Sequence, residues 1–548
     1  MKKKLLTAAA LLMLVVPGLA ACSKDTPAAS DTKTGQTTTQ AAAIKQEVTA
    51  NLKGEPYTLD PAFASDSTSY WVIDHLYEGL YRYNDKGELV EGAAEKIEIS
   101  PDGKTYTFHI RKGLKWSNGD ALTAKDFEFA WKRVLDPQTA AYEPSALYYI
   151  EGAEEYNTGK GPLDKVKIST PDEYTLVVGL KNPASFFPKV AIGRPYLPVN
   201  PKVVQADKNW AGEAKSIVTN GAYKVGAWEH NNELTLAKND QYWEKDAVTM
   251  ETVHFKMVND ATTAYQMYKT GKLDLIDTLP TDVIEQEKGK DEYKAVADFG
   301  VYTYTFNTSA EPFNNAKIRR AFTIAIDREA ITNNITKGDQ KAAYGYVAYG
   351  VTTPSGKDFR DEVAPYYSND PAEAKKLLEE GMKEQGWSTL PAVTLKYSTG
   401  ETHKKVAEAL QEMFRKNLGV EIKLEHQEWK TYIDTYKQMN FQIARMGWTG
   451  SYLDPLAVLE LYTSKSSSNF TKWENAKYDQ LIEQARVEQD QEKRNKLLHE
   501  AEDVLMAELP IIPVYFYTQN YLNSKKIEGI QYSVTREPDF RQAKKVAE

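Results

Sequence analysis

One cysteine, Cys22, stands in a chain of 548 residues. No disulfide can staple such a chain within one molecule, so packed apolar side chains must carry its fold. Before that cysteine, Lys2, Lys3 and Lys4 lead into an apolar run at 5–16 and then Leu19-Ala20-Ala21-Cys22. A positive cluster, a short hydrophobic run and a small-residue cleavage site, in that order, form a secretory signal. The run is too short to span a bilayer well. An exported protein with one thiol would keep a stray reactive group unless chemistry consumes it.

Leu-Ala-Ala-Cys resembles the bacterial lipobox, in which the cysteine becomes the lipidated first residue of the mature protein. An ordinary signal peptide with a cysteine nearby is the alternative. Lipidation accounts for the lone cysteine, and the two acyl chains of a diacylglyceryl group suffice for stable membrane anchoring. Residues 23–46 hold small and polar residues with no aromatic. They cannot bury enough apolar surface to offset their ordering entropy, so they read as a flexible tether. The expected layout is a signal peptide at 1–21 and a lipidated cysteine with its tether at 22–46, on the outer face of a cell membrane, with a Gram-positive surface preferred.

Beyond the tether the chain is long enough for several domains. A hydrophobic share of 41%, a charged share of 26% and a formal net charge of −9 describe a soluble body. No basic stripe appears, which argues against a nucleic-acid partner. The 34 tyrosines and 10 tryptophans offer flat apolar faces with polar edges, suited to a pocket for varied ligands, although most must pack in cores. The seven histidines, at 75, 109, 230, 254, 403, 426 and 499, are scattered without zinc spacing. There is no G-x-S-x-G elbow, and 350–357 misses the P-loop spacing by one residue. No metal, cofactor or catalytic centre is therefore expected. A hydrolase built on two carboxylates is the enzyme alternative, but most acids lie beside lysines in a solvated-surface pattern.

Hydropathy patterning gives a mixed α/β body. Ser100-Pro101-Asp102-Gly103 reads as a turn, 105–110 as an alternating strand, and Trp116-Ser117-Asn118-Gly119 as a second turn. Thr123 caps a helix to about residue 135, with Asp126 completing a capping box and Phe127, Ala130, Trp131 and Val134 on one face. The stretches 253–258, 260–269 and 273–276 form a βαβ unit. A βαβαβ series follows at 393–397, 403–416, 420–425, 429–437 and 441–448, with Gly419 stopping the first helix. That series implies a mostly parallel sheet, whose ligands gather at strand carboxyl ends, near Gly447-Trp448. Two α/β lobes at about 200–300 and 301–518 imply a cleft between them.

Leu59-Asp60-Pro61, Tyr77-Glu78-Gly79-Leu80 and the run Tyr106-Thr107-Phe108-His109-Ile110-Arg111-Lys112-Gly113-Leu114-Lys115-Trp116-Ser117-Asn118-Gly119 closely resemble the oligopeptide/dipeptide-binding protein family. Asn220-Gly221-Ala222-Tyr223, Pro312-Phe313-Asn314, Ile326-Asp327-Arg328 and Pro513-Val514-Tyr515 extend the resemblance over the chain after the tether. Glu428-Trp429-Lys430-Thr431 and Arg445-Met446-Gly447-Trp448 favour its oligopeptide-binding branch. The resemblance implies a periplasmic-binding-protein-like clamshell of two α/β lobes plus an extra domain, with the ligand enclosed between lobes. Lobe I would comprise 47–78, 200–300 and 519–548, domain II 79–199, and lobe III 301–518. It implies a monomeric, non-enzymatic binding protein that delivers peptides to the permease of an ABC importer. Dipeptides, cell-wall or signalling peptides, opines and metal chelates remain alternative ligands, and a sensory lipoprotein an alternative role.

Carried over by motif, Trp448 lines the cleft, with Gly447 and Thr449 beside it and Trp429 as a second pocket aromatic. Arg445 and His403 fall where relatives place groups that meet carboxylates; an interdomain salt bridge and a solvent-exposed helix start are their bland alternatives. Tyr142 lies near a cleft tyrosine of the family, with Glu143 the competitor. The loop Ser65-Asp66-Ser67-Thr68 aligns with a ligand-contacting segment. Peptide binders of this branch often carry Asp three residues after the cleft tryptophan, paired with the ligand's α-amino group. Here that position is Ser451, which supplies no countercharge. Asp66, Glu143 and Asp454 are the candidate replacements. Tyr436 and Thr336 also stand where other members place basic residues.

Overall fold

The computed structural model describes residues 44–84, 87–280, 282–534 and 537–547. The signal, Cys22 and nearly all of the tether lie outside the described residues. Alternation builds the smaller of the two principal sheets. In Thr105–Ile110 every second side chain is buried, as a strand with one wet face requires. It pairs antiparallel with Ala94–Ile99 and Thr175–Gly179, and Ile168–Asp172 completes four strands. Helix Ala124–Leu135 starts at the expected capping box of Thr123 and Asp126 and buries Phe127, Ala130, Trp131 and Val134.

The larger sheet has eleven strands. At one end, the N-terminal strand Glu47–Asn51 inserts between Thr252–Lys256 and Leu275–Ile276, parallel to both. The expected βαβ unit is therefore present but split by an earlier strand, which no local pattern reveals. Its helix, Ala261–Lys269, is capped by Asp260, whose carboxylate accepts from the Thr263 N–H at 2.7 Å. At the other end Val393–Ser398 lies between Ile422–Gln427 and Ile443–Thr449, all parallel. Helix Glu401–Leu418 ends at Gly419, which takes φ +70°. The Val420 N–H is then spent on the Phe414 carbonyl of that helix (3.3 Å). This αL stop makes the next strand begin two residues after its apolar pattern does.

Two unusually long strands, Tyr293–Phe306 and Ile511–Asn523, run antiparallel through both ends. Leu275–Ile276 joins the last residues of Ile511–Asn523, whereas Ile443–Thr449 joins the second half of Tyr293–Phe306. The lobes expected as separate α/β units thus share one hydrogen-bonded sheet. Its register breaks between Ala297 and Val301, a bulge-type irregularity that bends a strand and re-aims its side chains.

Most large aromatics are structural. Trp71, Trp116 and Trp131 are fully buried, and their indole N–H groups donate to Pro538 O, Asp126 Oδ1 and Tyr196 O respectively. Truncating such a side chain costs about 3–5 kcal/mol. Among the described residues, no helix is long and apolar enough to cross a membrane.

Candidate functional site

The register break opens onto a cavity of about 470 Å³. Its walls come from residues 61–70, 142–149, 190–195, 449–452 and 519–521, with Asp298 at the break and Glu537 beyond the long strands. The chain approaches itself closely here. The Gly450 N–H donates to the Phe299 carbonyl at 2.8 Å, and any side chain at Gly450 would collide with the Phe299 ring. Asp298, on the strand Tyr293–Phe306, and Ser451, in the loop after Ile443–Thr449, face one cavity.

The walls are rich in carboxyl groups withdrawn from water. Burial pushes the Asp298 carboxyl up to about 6, against hydrogen bonds from Gln519 and the Phe299 backbone. Burial and then the Asp277 charge push Glu537 up to about 7, opposed by Lys53 and Arg194. Burial raises Glu143 as well, again opposed by Arg194. It raises Glu460 although Arg486 lies 3.0 Å away. Arg194 is committed to Asp74 at 2.7 Å and sits 4.0 Å over the Tyr70 ring. Desolvation disfavours the charged form of each of these acids, and a cationic guest would offset that cost.

A second cluster lies along the same strands. The Arg445 guanidinium stands 4.4 Å over the Tyr302 ring and donates from Nη2 to the Tyr517 hydroxyl at 3.1 Å. Its Nε is buried without a hydrogen-bond partner, and it makes no ion pair among the described residues. His403 Nδ1 meets the Tyr302 hydroxyl at 3.1 Å. Burial and then the Arg445 charge lower the imidazole to about 4. Near neutral pH His403 is thus an uncharged hydrogen-bonding group rather than a second cation, and it is not a bare helix start in solvent. Gly447 belongs here too, because a Cβ there would strike the Tyr517 hydroxyl.

The expected residues divide between these places. Thr449, Ser451, Tyr142 and Glu143 line the cavity; Tyr142 is 61% exposed at its edge. Arg445, His403 and Gly447 form the tyrosine cluster, with Trp448 adjacent to Gly447 on the strand Ile443–Thr449. Trp429 is 50% exposed, stacked on Tyr432 at 6.2 Å and away from the cavity wall. Ser65 is exposed. Asp66 caps helix Ser67–Leu76, accepting from the Ser69 N–H at 2.8 Å and its hydroxyl at 2.7 Å. Asp454 is buried against Arg494 through two bonds of 2.7 and 2.8 Å. Both acids are engaged within the fold, Asp66 as a helix cap and Asp454 in a buried ion pair. Tyr436 is buried and shares a 2.8 Å hydrogen bond with Thr305, and Thr336 is also buried.

Asp298, Glu460 and Glu537 were not anticipated. Asp298 had a signal: Asp298-Phe299-Gly300 interrupts an otherwise strand-like run, where a bulge is to be expected. Glu460 and Glu537 had none, since tertiary packing alone brings them to the cavity.

Residues 88–470 match the family model described as bacterial extracellular solute-binding proteins, family 5 Middle. The dipeptide-binding protein DppE of Bacillus subtilis is 42% identical, covering 88% of each chain. The oligopeptide-binding protein OppA of the same organism is also 42% identical, over 91% of this chain and 92% of its own. Among solved structures, the unliganded open form of the murein tripeptide-binding protein MppA superposes with TM-score 0.81 at 31% identity, covering 92% of this chain and 98% of that one. Haemophilus influenzae OppA in complex with RPPGFSPFR gives 0.73 at 31% identity, covering 92% and 99%. The arrangement described here is thus more similar to the open form than to that peptide complex. With its multi-domain clamshell fold, the chain belongs to the bacterial extracellular solute-binding proteins of family 5, a family of binding proteins rather than enzymes.

Proposed function

We propose that this protein captures short peptides between its lobes and delivers them to an ABC importer. One observation carries the reading: the same two long strands bear an acid-walled cavity and, further along, an arginine–tyrosine cluster with no carboxylate partner. A zwitterion with separated ends matches that polarity. The names of the B. subtilis relatives, one dipeptide-binding and one oligopeptide-binding, support the same substrate class.

In this reading lobe I comprises 47–78, 200–300 and 519–548, domain II 79–199 and lobe III 301–518, with the long strands as the hinge. Ligand touching both sides stabilises the closed state by its differential affinity. Its main chain pairs with protein backbone while its side chains sit in hydrated pockets. Arg445, with its forked donors, takes the ligand carboxylate. His403 and Trp448 support it from the same lobe, and Trp429 and Tyr142 reach the ligand only as the cleft closes. The mature chain is a monomer held on the outer membrane face by lipid on Cys22.

Denaturing mass spectrometry of species co-purifying with residues 44–548, followed by calorimetric titration of those identified, tests the reading. Peptides of a few residues are the expected result. A single non-peptide solute would overturn the substrate class.

A further inference from the structure

Within the peptide-capture reading, on which this inference rests, the missing charge at Ser451 has a structural answer. We propose that Asp298 supplies the countercharge that position 451 lacks, so that the cleft selects ligands presenting a free ammonium or guanidinium group beside the Thr449–Tyr452 loop. Asp298 lies at the register break of Tyr293–Phe306, next to the residue whose carbonyl accepts from Gly450. It and Ser451 line the same cavity. The strand thus supplies from one side the charge that the loop lacks on the other.

Further observations favour Asp298 over the other acids. Asp66 and Asp454 are committed to a helix cap and to Arg494. Glu143 feels Arg194, Glu460 is paired with Arg486, and Glu537 feels both Lys53 and Arg194. Asp298 has no ion pair among the described residues, only neutral hydrogen-bond donors. The Tyr452 hydroxyl, on the same wall, is buried beside Tyr149 without a hydrogen bond of ordinary geometry.

A proton is coupled to this binding. The groups facing Asp298 are Tyr517 and Tyr521 on the opposing strand, Arg445 beyond Tyr517, Glu537 across the cavity, and Glu143, Tyr149, Arg194, Tyr452 and Glu460 on the remaining walls. With its carboxyl pushed up to about 6, part of the empty protein is protonated at mildly acid pH. A cationic ligand requires the ionised form, so binding releases protons there, and affinity rises with pH until the carboxyl is fully ionised.

The probes are Ala-Ala-Ala-Ala and its N-acetyl derivative, titrated at pH 6 into residues 44–548 in buffers of different ionisation enthalpy. Wild type is expected to bind the free amine at least tenfold more tightly, with net proton release. Asp298→Asn should erase both the preference and the release. Ser451→Asp added to Asp298→Asn should restore the preference, which also shows that the variant site is folded. A preference unchanged in Asp298→Asn overturns the assignment while leaving peptide capture intact. Failure of wild type to bind either peptide, or any member of a free-amine tetrapeptide library, overturns both.

Discussion

The acid-walled cavity and the Arg445 cluster share two strands, yet their charges are handled in opposite ways. In the cavity, carboxyls are desolvated and their protonation rises; in the cluster, a cation is kept charged by stacking on tyrosine and by a tyrosine hydroxyl. Burial penalises any charge, but guanidinium cannot shed its proton and is eased by aromatic faces, whereas a carboxylate can become neutral. The difference teaches that burial leaves one cluster with a fixed charge and the other with a titrating one. Only the titrating end should couple ligand binding to pH.

The harshest test of this contrast is an acid that is near the cleft but structural. Asp454→Asn should remove about 3–5 kcal/mol of stability by leaving Arg494 buried and unpaired, as measured by chemical denaturation. It should do so without changing the preference for a free amine. If the variant stays stable and the preference shifts, Asp454 belongs to the ligand site after all.

Arg445→Met comes next, with an expected affinity loss of about 3 kcal/mol for a peptide with a free carboxyl terminus. A carboxyl-terminal amide should lose as much against wild type and nothing more against the variant. Calorimetry on the four combinations reads the coupling directly, and additive losses would separate Arg445 from the ligand carboxylate.

A smaller effect distinguishes the titrating end in the empty protein. The Asp298 carboxyl goes from an ordinary 3.8 to about 6 in the folded state. The folded protein therefore holds more protons across that window, and its stability falls as pH rises through it. Asp298→Asn should accordingly stabilise the ligand-free protein by up to about 3 kcal/mol at pH 7.5 and by almost nothing at pH 4. Melting curves at the two pH values check the sign, and equal shifts at both would contradict the burial-driven account. Least affected should be Trp429→Ala, which is expected to move stability by less than about 0.5 kcal/mol because its ring is half in solvent.

Local pattern carried much of this molecule. The capping box at Thr123, the Gly419 stop, the alternating strand at 105–110 and the helix at 429–437 follow from short-range rules that the tertiary structure leaves intact. Family-specific turns made the fold legible, and the Arg-x-Gly-Trp motif pointed to Arg445. What stayed hidden depended on partners distant in the chain. Nothing in Glu47–Asn51 announces that it will separate two later strands, and nothing beside Asp454 announces Arg494.

By itself the sequence determined the element types, the single-cysteine constraint and the positions where a ligand's charges would need an answer, because propensity, capping and motif chemistry act over a few residues. Only the tertiary structure decided which acids are free to answer. Whether a carboxylate is a helix cap, half of a buried ion pair or a desolvated wall group depends on what packs against it. That is set by the pairing of Tyr293–Phe306 with Ile511–Asn523 and by the break in their register, a contact between segments far apart along the chain.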